Sequence, residues 1–122
     1  MESMEASGYR VRLPGYGGAK VSRRKLRDYL LEHSHPVGGA KALFFARLGF
    51  SRARWRLFEV ELRRLIRSCP AWAMPPDRHG QKFLVRGTIR GPWRREARVV
   101  SVWIVRSPGG VPDLVTVYPW KR

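Results

Sequence analysis

The spacing of apolar residues changes from a helical period of 3.6 to a strand period of 2 near Lys82, and this change divides the chain into two halves. Before it, apolar residues between Trp55 and Cys69 recur every three or four positions, as on one face of a helix. After it, apolar and polar residues alternate in short runs that are separated by Gly-Pro and Pro-Gly-Gly turns. We therefore expect an α+β fold, in which N-terminal helices pack on one face of a C-terminal antiparallel β-meander.

Helix start and stop signals divide the first half further. Ser22 can cap one helix, Gly49 can end a second, Ser51 can cap a third, and Pro70 ends that third helix. The predicted helices span about residues 22–32, 36–48 and 51–69. We interpret 71–79 as a linker between the halves, 1–18 as a flexible lead or a short edge strand around 9–13, and 19–122 as a single α+β domain.

The second half contains three predicted strands, at about 82–90, 97–106 and 113–118. Alternation gives each strand two faces. The face expected to pack on the helices is aliphatic and consists of Val85, Ile89, Val100, Val102, Ile104, Val115 and Val117. The opposite face carries Arg, hydroxyl and aromatic side chains, namely Arg86, Thr88, Ser101, Trp103, Thr116 and Tyr118. Such a face can contact phosphate and stack bases, although the same residue types are also ordinary for a solvent-exposed strand face.

The chain is strongly basic. It has 25 Lys and Arg against 9 Asp and Glu, which gives a net charge of +16. A field of this sign attracts polyanions, and nucleic acid is the commonest such partner; an anionic membrane surface or an acidic protein would also fit. The longest apolar run, 42–46, is far too short to span a bilayer, and the polar, acidic start does not resemble a signal peptide. We therefore expect one soluble domain and no membrane partner.

Few residues offer metal or redox chemistry. Cys69 is the single cysteine, which excludes an internal disulfide. The three histidines, His33, His35 and His79, lack Cys or carboxylate neighbours at the spacing of a zinc site. We predict no metal and no cofactor.

The segment from His35 to Lys41 is a candidate for chemistry. Gly38 and Gly39 are unfavourable inside a helix, so they suggest a helix start or a close approach of the backbone to another group. A histidine can move protons near neutral pH, and a lysine can neutralise a phosphate. The alternative interpretation is a histidine in a turn and a lysine on a solvated helix face.

Several short motifs, in this order, resemble a small bacterial domain family of unknown function. They are RKLRDYLL at 24–31, HPVG at 35–38 followed by KA at 41–42, LGF at 48–50, GQK at 80–82, VWIV at 102–105 and VTVYP at 115–119. The resemblance covers roughly residues 19–120. That family occurs as short free-standing proteins and as the C-terminal module of polymorphic toxins. The order of helices, antiparallel sheet and Thr-x-Tyr-Pro ending is more distantly similar to the barnase–EndoU–colicin–RelE superfamily of ribonuclease toxins.

This resemblance implies metal-independent cleavage of RNA, in which the ribose 2′-hydroxyl attacks the adjacent phosphorus. Such a reaction needs a base, an acid and groups that stabilise the developing charge. The candidate catalytic residues are His35 as acid or base, Lys41 and Arg86 for phosphate charge, Thr116 as a donor to phosphate oxygens, and Tyr118 to stack a base or share the proton. The candidate substrate-binding residues are Gln81, Lys82, Thr88, Ser101 and Trp103.

The sequence thus favours a ribonuclease toxin that acts on tRNA or mRNA in the cytoplasm, made there or delivered from another cell. An acidic antitoxin or immunity protein is the implied protein partner. A non-catalytic nucleic-acid-binding module and a structural or interaction domain of a phage or secretion system are the alternatives. The enzyme hypothesis predicts that His35, Lys41, Arg86 and Thr116 converge in one cleft, whereas a binding module needs only a broad basic face.

Overall fold

The structure is a computed structural model that describes residues 11–31 and 39–120, and its elements follow the predicted order of helices and then strands. Helix α1 (Arg23–Lys25) continues directly into a π-helical turn (Leu26–Leu30), and helices α2 (Gly39–Ala46) and α3 (Trp55–Ser68) follow. The strands are β1 (Ala71–Ala73), β2 (Gln81–Arg90), β3 (Glu96–Val105) and β4 (Asp113–Pro119). They form an antiparallel sheet in the order β1-β2-β3-β4, so the predicted α+β class is confirmed.

Helix α3 forms where its apolar stripe predicts it. Its buried side chains are Phe58, Leu62, Leu65 and Ile66, and they join one core with the inner face of the sheet. The helix approaches β2 closely at Gly87, where an added Cβ would lie 2.5 Å from Leu65 Cδ1. Leu13 is also fully buried in this core, so the residues just before α1 pack on the domain. The domain boundary between residues 18 and 19 stays a prediction.

The first two helices partly match their predicted ranges. Ser22 caps α1 as predicted, because its hydroxyl accepts a hydrogen bond from the Lys25 amide at 3.2 Å. The chain then widens into a π turn over Leu26–Leu30, so regular α-helix does not continue along the predicted range. Helix α2 lies within the predicted range 36–48, but the predicted start at Pro36 or Val37 lies outside the described residues.

The linker prediction for residues 71–79 is wrong at its beginning. Residues 71–73 form β1, the edge strand that pairs antiparallel with Phe83–Val85 of β2. A strand of three residues is too short for alternation to be recognised, and the prolines at 70, 75 and 76 conceal it further.

The predicted face assignment of β3 is also wrong. Ser101 pairs with Val85 on one side and Val117 on the other, so it points into the core, as does Trp103 two residues later. Both side chains are 0% exposed. Val100, Val102 and Ile104 therefore point to the opposite face, where they are also buried. A central strand is apolar on both faces, and alternation along it cannot tell which face meets the helices.

Candidate functional site

The sheet face opposite α3, here called the site face, carries most of the polar residues that the sequence singled out. Residues that pair directly across antiparallel strands point to the same face. Arg86 of β2 and Tyr118 of β4 both pair with Val100, so they flank it in one row across the sheet. Thr116 lies one row away, beside Val102. The prediction that Arg86, Thr116 and Tyr118 share a face is therefore correct.

Helix α2 brings Lys41 onto the β4 edge of the site face. The Lys41 Nζ donates a hydrogen bond to Thr116 Oγ1 at 2.9 Å and lies 6.0 Å from the centroid of the Tyr118 ring. Burial of the ammonium lowers the pKa of Lys41 below its ordinary value. A cation, a hydroxyl and a phenol ring are thus assembled from parts of the chain that lie 75 residues apart.

The position of Thr116 depends on a β-bulge in β4. Leu114 pairs with Trp103 and Thr116 pairs with Val102, which leaves Val115 as an extra residue between them. The Lys25 Nζ donates hydrogen bonds to the carbonyl oxygens of Leu114 at 3.0 Å and Val115 at 3.1 Å. Val115 was predicted to lie on the core face, and the bulge is the reason that this prediction is wrong.

Arg86 lies in a stack of alternating guanidinium and indole groups. Its Cζ atom is 5.4 Å from the ring centroid of Trp72 and 4.7 Å from that of Trp120. Arg98 Cζ lies 5.1 Å from the same Trp120 ring. We call these four residues, Trp72, Arg86, Trp120 and Arg98, the Arg–Trp stack.

An open groove of about 580 Å³ joins the Arg–Trp stack to Lys41. Its described lining consists of Lys41, Phe44, Arg47, Ala97, Arg98, Pro119 and Trp120. These residues include three cations and no carboxylate, so the groove favours an anion. The aromatic members give it apolar walls beside those charges.

The remaining predicted site residues divide between the two faces. Thr88 is exposed on the site face, where it pairs with Arg98, and Lys82 is exposed near the far end of β2. Gln81 points to the other face; its amide donates to the Met74 carbonyl at 3.1 Å, and it lines a separate cavity of about 360 Å³. Gln81 and Lys82 therefore do not act together on one face.

Ser101 and Trp103 do not reach the site face. The Ser101 hydroxyl accepts a hydrogen bond from Trp103 Nε1 and donates one to the Val85 carbonyl, both at 2.9 Å. Both side chains are buried, and these hydrogen bonds satisfy them within the core. They were predicted to bind substrate because the two faces of β3 were assigned the wrong way round. His35 lies outside the described residues, so its predicted convergence with Lys41, Arg86 and Thr116 stays a prediction.

Three residues of the Arg–Trp stack were not predicted from the sequence, namely Trp72, Arg98 and Trp120. Trp72 lies in the segment interpreted as a linker, and Trp120 follows the proline that was expected to end the sheet. With the predicted phase of β3, Arg98 would have pointed toward the helices. The structure places Arg98 in register with Thr88 on the site face, but residues 99–104 are buried on both faces and give no sequence signal of that phase.

A second polar cluster lies between α3 and the β2–β3 hairpin, around a cavity of about 550 Å³. Glu61 accepts hydrogen bonds from Arg64 Nη2 at 2.9 Å and from the Arg90 amide at 2.8 Å. Burial raises the pKa of Glu61, but these hydrogen bonds and the positive charges of Arg64 and Arg90 together outweigh it and hold the pKa below its usual value. Arg90 is also paired with Glu96 at 3.1 Å. The cluster is a set of satisfied ion pairs that joins the helix to the hairpin.

Neither a metal-ligand cluster nor a membrane-spanning helix is present among the described residues. Over residues 11–31 and 39–120, no three His, Cys, Asp or Glu side chains are grouped in a way that could hold a metal ion. Within the same part of the chain, no helix is both long and apolar enough to cross a membrane.

Comparisons with known proteins agree with this architecture. A chain of the contact-dependent growth inhibition toxin–immunity protein complex from Klebsiella pneumoniae 342 has the same fold, with a TM-score of 0.68 and 17% sequence identity. The match covers 90% of this chain and 100% of that chain. No curated protein matches the sequence. The family model of a domain of unknown function, DUF6883, matches residues 12–121, and the chain therefore belongs to the DUF6883 family.

Proposed function

We propose that this chain is a small ribonuclease toxin that cleaves RNA by metal-independent attack of the ribose 2′-hydroxyl. The observation that carries the proposal is the contact of Lys41 with Thr116 on a basic, aromatic sheet face. The chain's net charge of +16 and the cationic groove beside Lys41 support an RNA substrate. The toxin assignment is supported by the shared fold with a chain of a toxin–immunity protein complex.

In the proposed reaction, the 2′-oxygen forms a bond to phosphorus while the bond from phosphorus to the 5′-oxygen breaks. A base takes the proton of the 2′-hydroxyl, and an acid gives a proton to the departing 5′-oxygen. The products are a 2′,3′-cyclic phosphate and a 5′-hydroxyl. His35 is the proposed acid or base, and the Tyr118 hydroxyl can share the proton. We propose that His35 and Tyr118 together supply the acid and the base, without assigning one role to each residue.

The cations have a different role. During the attack, negative charge grows on the two non-bridging phosphate oxygens, and a nearby ammonium stabilises it most strongly where water is partly excluded. Lys41 meets this requirement because its Nζ is partly buried and is held by Thr116. Thr116 keeps a hydroxyl hydrogen to donate to a phosphate oxygen, since its oxygen accepts from Lys41. Arg86 supplies a second cation, in the row of Tyr118.

We propose an acidic immunity protein or antitoxin as the protein partner. A toxin with a charge of +16 offers long-range attraction to an acidic protein, and covering the site face would block access to RNA. We propose that the toxin acts on cytoplasmic RNA, either tRNA or mRNA.

Cleavage of purified tRNA and mRNA by the full chain tests the proposal. We expect Lys41→Ala to lower the rate by about 10²-fold or more, the scale of a lost electrostatic or proton-transfer group. Lys20→Ala is the matched control, because Lys20 is exposed and uses only its backbone in the described hydrogen bonds. Full activity of both Lys41→Ala and His35→Ala would end the assignment.

Two further measurements specify the chemistry. Mass spectrometry of the products should find 2′,3′-cyclic phosphate ends, and cleavage should continue in EDTA. Products with a 3′-hydroxyl, or activity lost in EDTA and restored by a divalent cation, would instead indicate a metal-dependent nuclease.

A non-catalytic RNA-binding module is the second candidate function, and the Arg–Trp stack favours it, because stacking and phosphate contacts need no proton transfer. This candidate predicts RNA binding without cleavage, with an affinity that falls steeply as salt rises.

A further inference from the structure

The Arg–Trp stack places two large aromatic side chains at the surface, Trp72 exposed and Trp120 partly buried. Trp72 lies on the edge strand β1 and is 42% exposed. Trp120 follows β4, and its amide donates a hydrogen bond to the Arg98 carbonyl at 2.9 Å, which fixes its place beside β3. Arg86, from β2, reaches between the two indoles. Side chains from β1, β2 and β3 and from the residue after β4 thus form one continuous surface.

The chemistry of this surface is selective for a particular kind of ligand. A guanidinium that stacks on an indole leaves the N–H groups at its edge available, and these groups match phosphate oxygens. The indole rings and the guanidinium planes offer flat surfaces for planar groups. A nucleic acid strand supplies both a phosphate chain and flat bases, whereas the carboxylates of an acidic protein would use only the N–H groups.

We propose that the Arg–Trp stack binds single-stranded RNA, with bases stacked on Trp72 and Trp120 and phosphates on Arg86 and Arg98. This inference deepens the proposed function, on which it rests, by naming the substrate class. The strand then passes along the cationic groove toward Lys41, which lines the same groove as Arg98 and Trp120. Bases in a duplex are stacked on one another and cannot offer their faces to these side chains. The chain therefore selects unpaired segments, such as loops, of its RNA target.

Binding to RNA that cannot be cleaved tests this inference separately from catalysis. The probes are a fluorescent 2′-O-methyl RNA of about ten nucleotides and a duplex of the same length, since the methyl group blocks attack by the 2′-oxygen. We expect Trp72→Ala and Trp120→Ala each to weaken binding of the single strand by roughly 5- to 150-fold, the range found for loss of one stacked base. Binding of the duplex should change far less.

Trp93→Ala is the matched control. Trp93 is 60% exposed, but it lies on the turn between β2 and β3, outside the stack, and its replacement should leave both affinities unchanged. Trp120→Phe should recover most of the affinity lost in Trp120→Ala, because it keeps an aromatic ring. Thermal unfolding of each variant shows whether the fold is kept, and only folded variants are compared.

Three results would overturn the inference: unchanged single-strand affinity in folded Trp72→Ala and Trp120→Ala, equal losses for single strand and duplex, or displacement of the RNA by oligoglutamate as effectively as by oligouridine of equal charge. The last result would indicate a surface for acidic proteins. Stack variants that lose single-strand binding in a chain that cleaves no RNA would support the inference and refute the proposed ribonuclease activity. Normal cleavage without any preference for single-stranded RNA would support the proposed ribonuclease activity and refute the inference about the Arg–Trp stack.

Discussion

Replacing Ser101 by alanine tests whether this residue belongs to the core or to an RNA-binding surface. The Ser101 hydroxyl lies between two groups in a region that is closed to water: it accepts from Trp103 Nε1 and donates to the Val85 carbonyl, both at 2.9 Å. Both Ser101 and Trp103 are 0% exposed, so no water replaces the lost partner in the Ser101→Ala variant. The variant leaves a buried indole N–H without an acceptor.

The expected loss follows from these two bonds. A buried donor without a partner costs about 1–3 kcal/mol, and the lost bond to the Val85 carbonyl costs about 1 kcal/mol more. We therefore expect the free energy of unfolding to fall by about 2–4 kcal/mol. For a domain of this size, about 4 °C per kcal/mol gives a decrease in Tm of about 8–16 °C. Thermal unfolding followed by circular dichroism, together with urea titration, measures both quantities.

Two further variants distinguish a core role of Ser101 from a surface role. Ser68→Ala removes an exposed hydroxyl that donates to the Arg64 carbonyl, and it should change stability by no more than about 0.5 kcal/mol. In the double variant Ser101→Ala/Trp103→Phe, the donor is removed as well, so the losses should be less than additive by about 1 kcal/mol or more. Ser101→Ala with wild-type stability but weakened RNA binding would refute the core assignment.

Two other predictions concern the lysines that organise the site. Burial lowers the pKa of Lys41, so its ammonium loses the proton at a lower pH than an ordinary lysine does, and the cleavage rate should fall on the alkaline side below pH 10.5. Lys41→Arg should move that fall to higher pH. An unchanged pH–rate profile would contradict the proposed role of the Lys41 charge in cleavage. The pKa of Lys41 is lower in the folded chain than in the unfolded chain, so between these two values the unfolded chain binds more protons. Burial of the charged ammonium therefore lowers the free energy of unfolding at pH values below the folded pKa, and this loss is relieved as pH rises through that pKa. Lys25→Met removes two charge-assisted hydrogen bonds to the β4 bulge. It should lower the free energy of unfolding by about 1.5–3 kcal/mol and slow cleavage about 10-fold or more, with Lys20→Met as the control. Equal effects of the two substitutions in unfolding and cleavage assays would argue against a role of Lys25 in holding the bulge.

The parts of the fold that the sequence predicted are those where one face is apolar and the other is not. Helix α3 has a narrow apolar stripe, and Phe58 and Leu62 are buried on it as expected. Strand β2 alternates from Val85 to Arg90 apart from Gly87, so Arg86 was assigned to the site face and Val85 to the core correctly. In both elements the side chains themselves show which face must leave water, and periodicity is then sufficient.

Strand β3 fails this condition. Its residues 99–104 are all buried, and a run that is apolar on both faces gives no phase. The polar members Ser101 and Trp103 were assigned to the surface because their neighbours are aliphatic. A serine and a tryptophan can nevertheless both be buried when they satisfy each other, as these two do. That pairing depends on the three-dimensional arrangement and cannot be read from spacing.

The candidate site also depends on a feature that residue types do not indicate. Leu114 and Thr116 are two residues apart, so in a regular strand they would point to the same face. The structure needs them on opposite faces, because Leu114 is buried against the core and Thr116 receives the hydrogen bond from Lys41. The extra residue Val115 resolves this conflict by reversing the face, and Lys25 holds the bulged carbonyls.

This arrangement links the stability of the core to the geometry of the site. If the bulge were lost while Leu114 stayed paired with Trp103, Thr116 would pair with Ser101 and turn into the core. The Lys41 ammonium would then lose its described hydroxyl partner. Deletion of Val115, by contrast, removes the extra residue itself: Leu114 and Thr116 become neighbours that keep Trp103 and Val102 as partners, so Thr116 should stay on the site face. Lys25, which touches neither Lys41 nor Thr116 in the described hydrogen bonds, is thus a positioning residue for the candidate site.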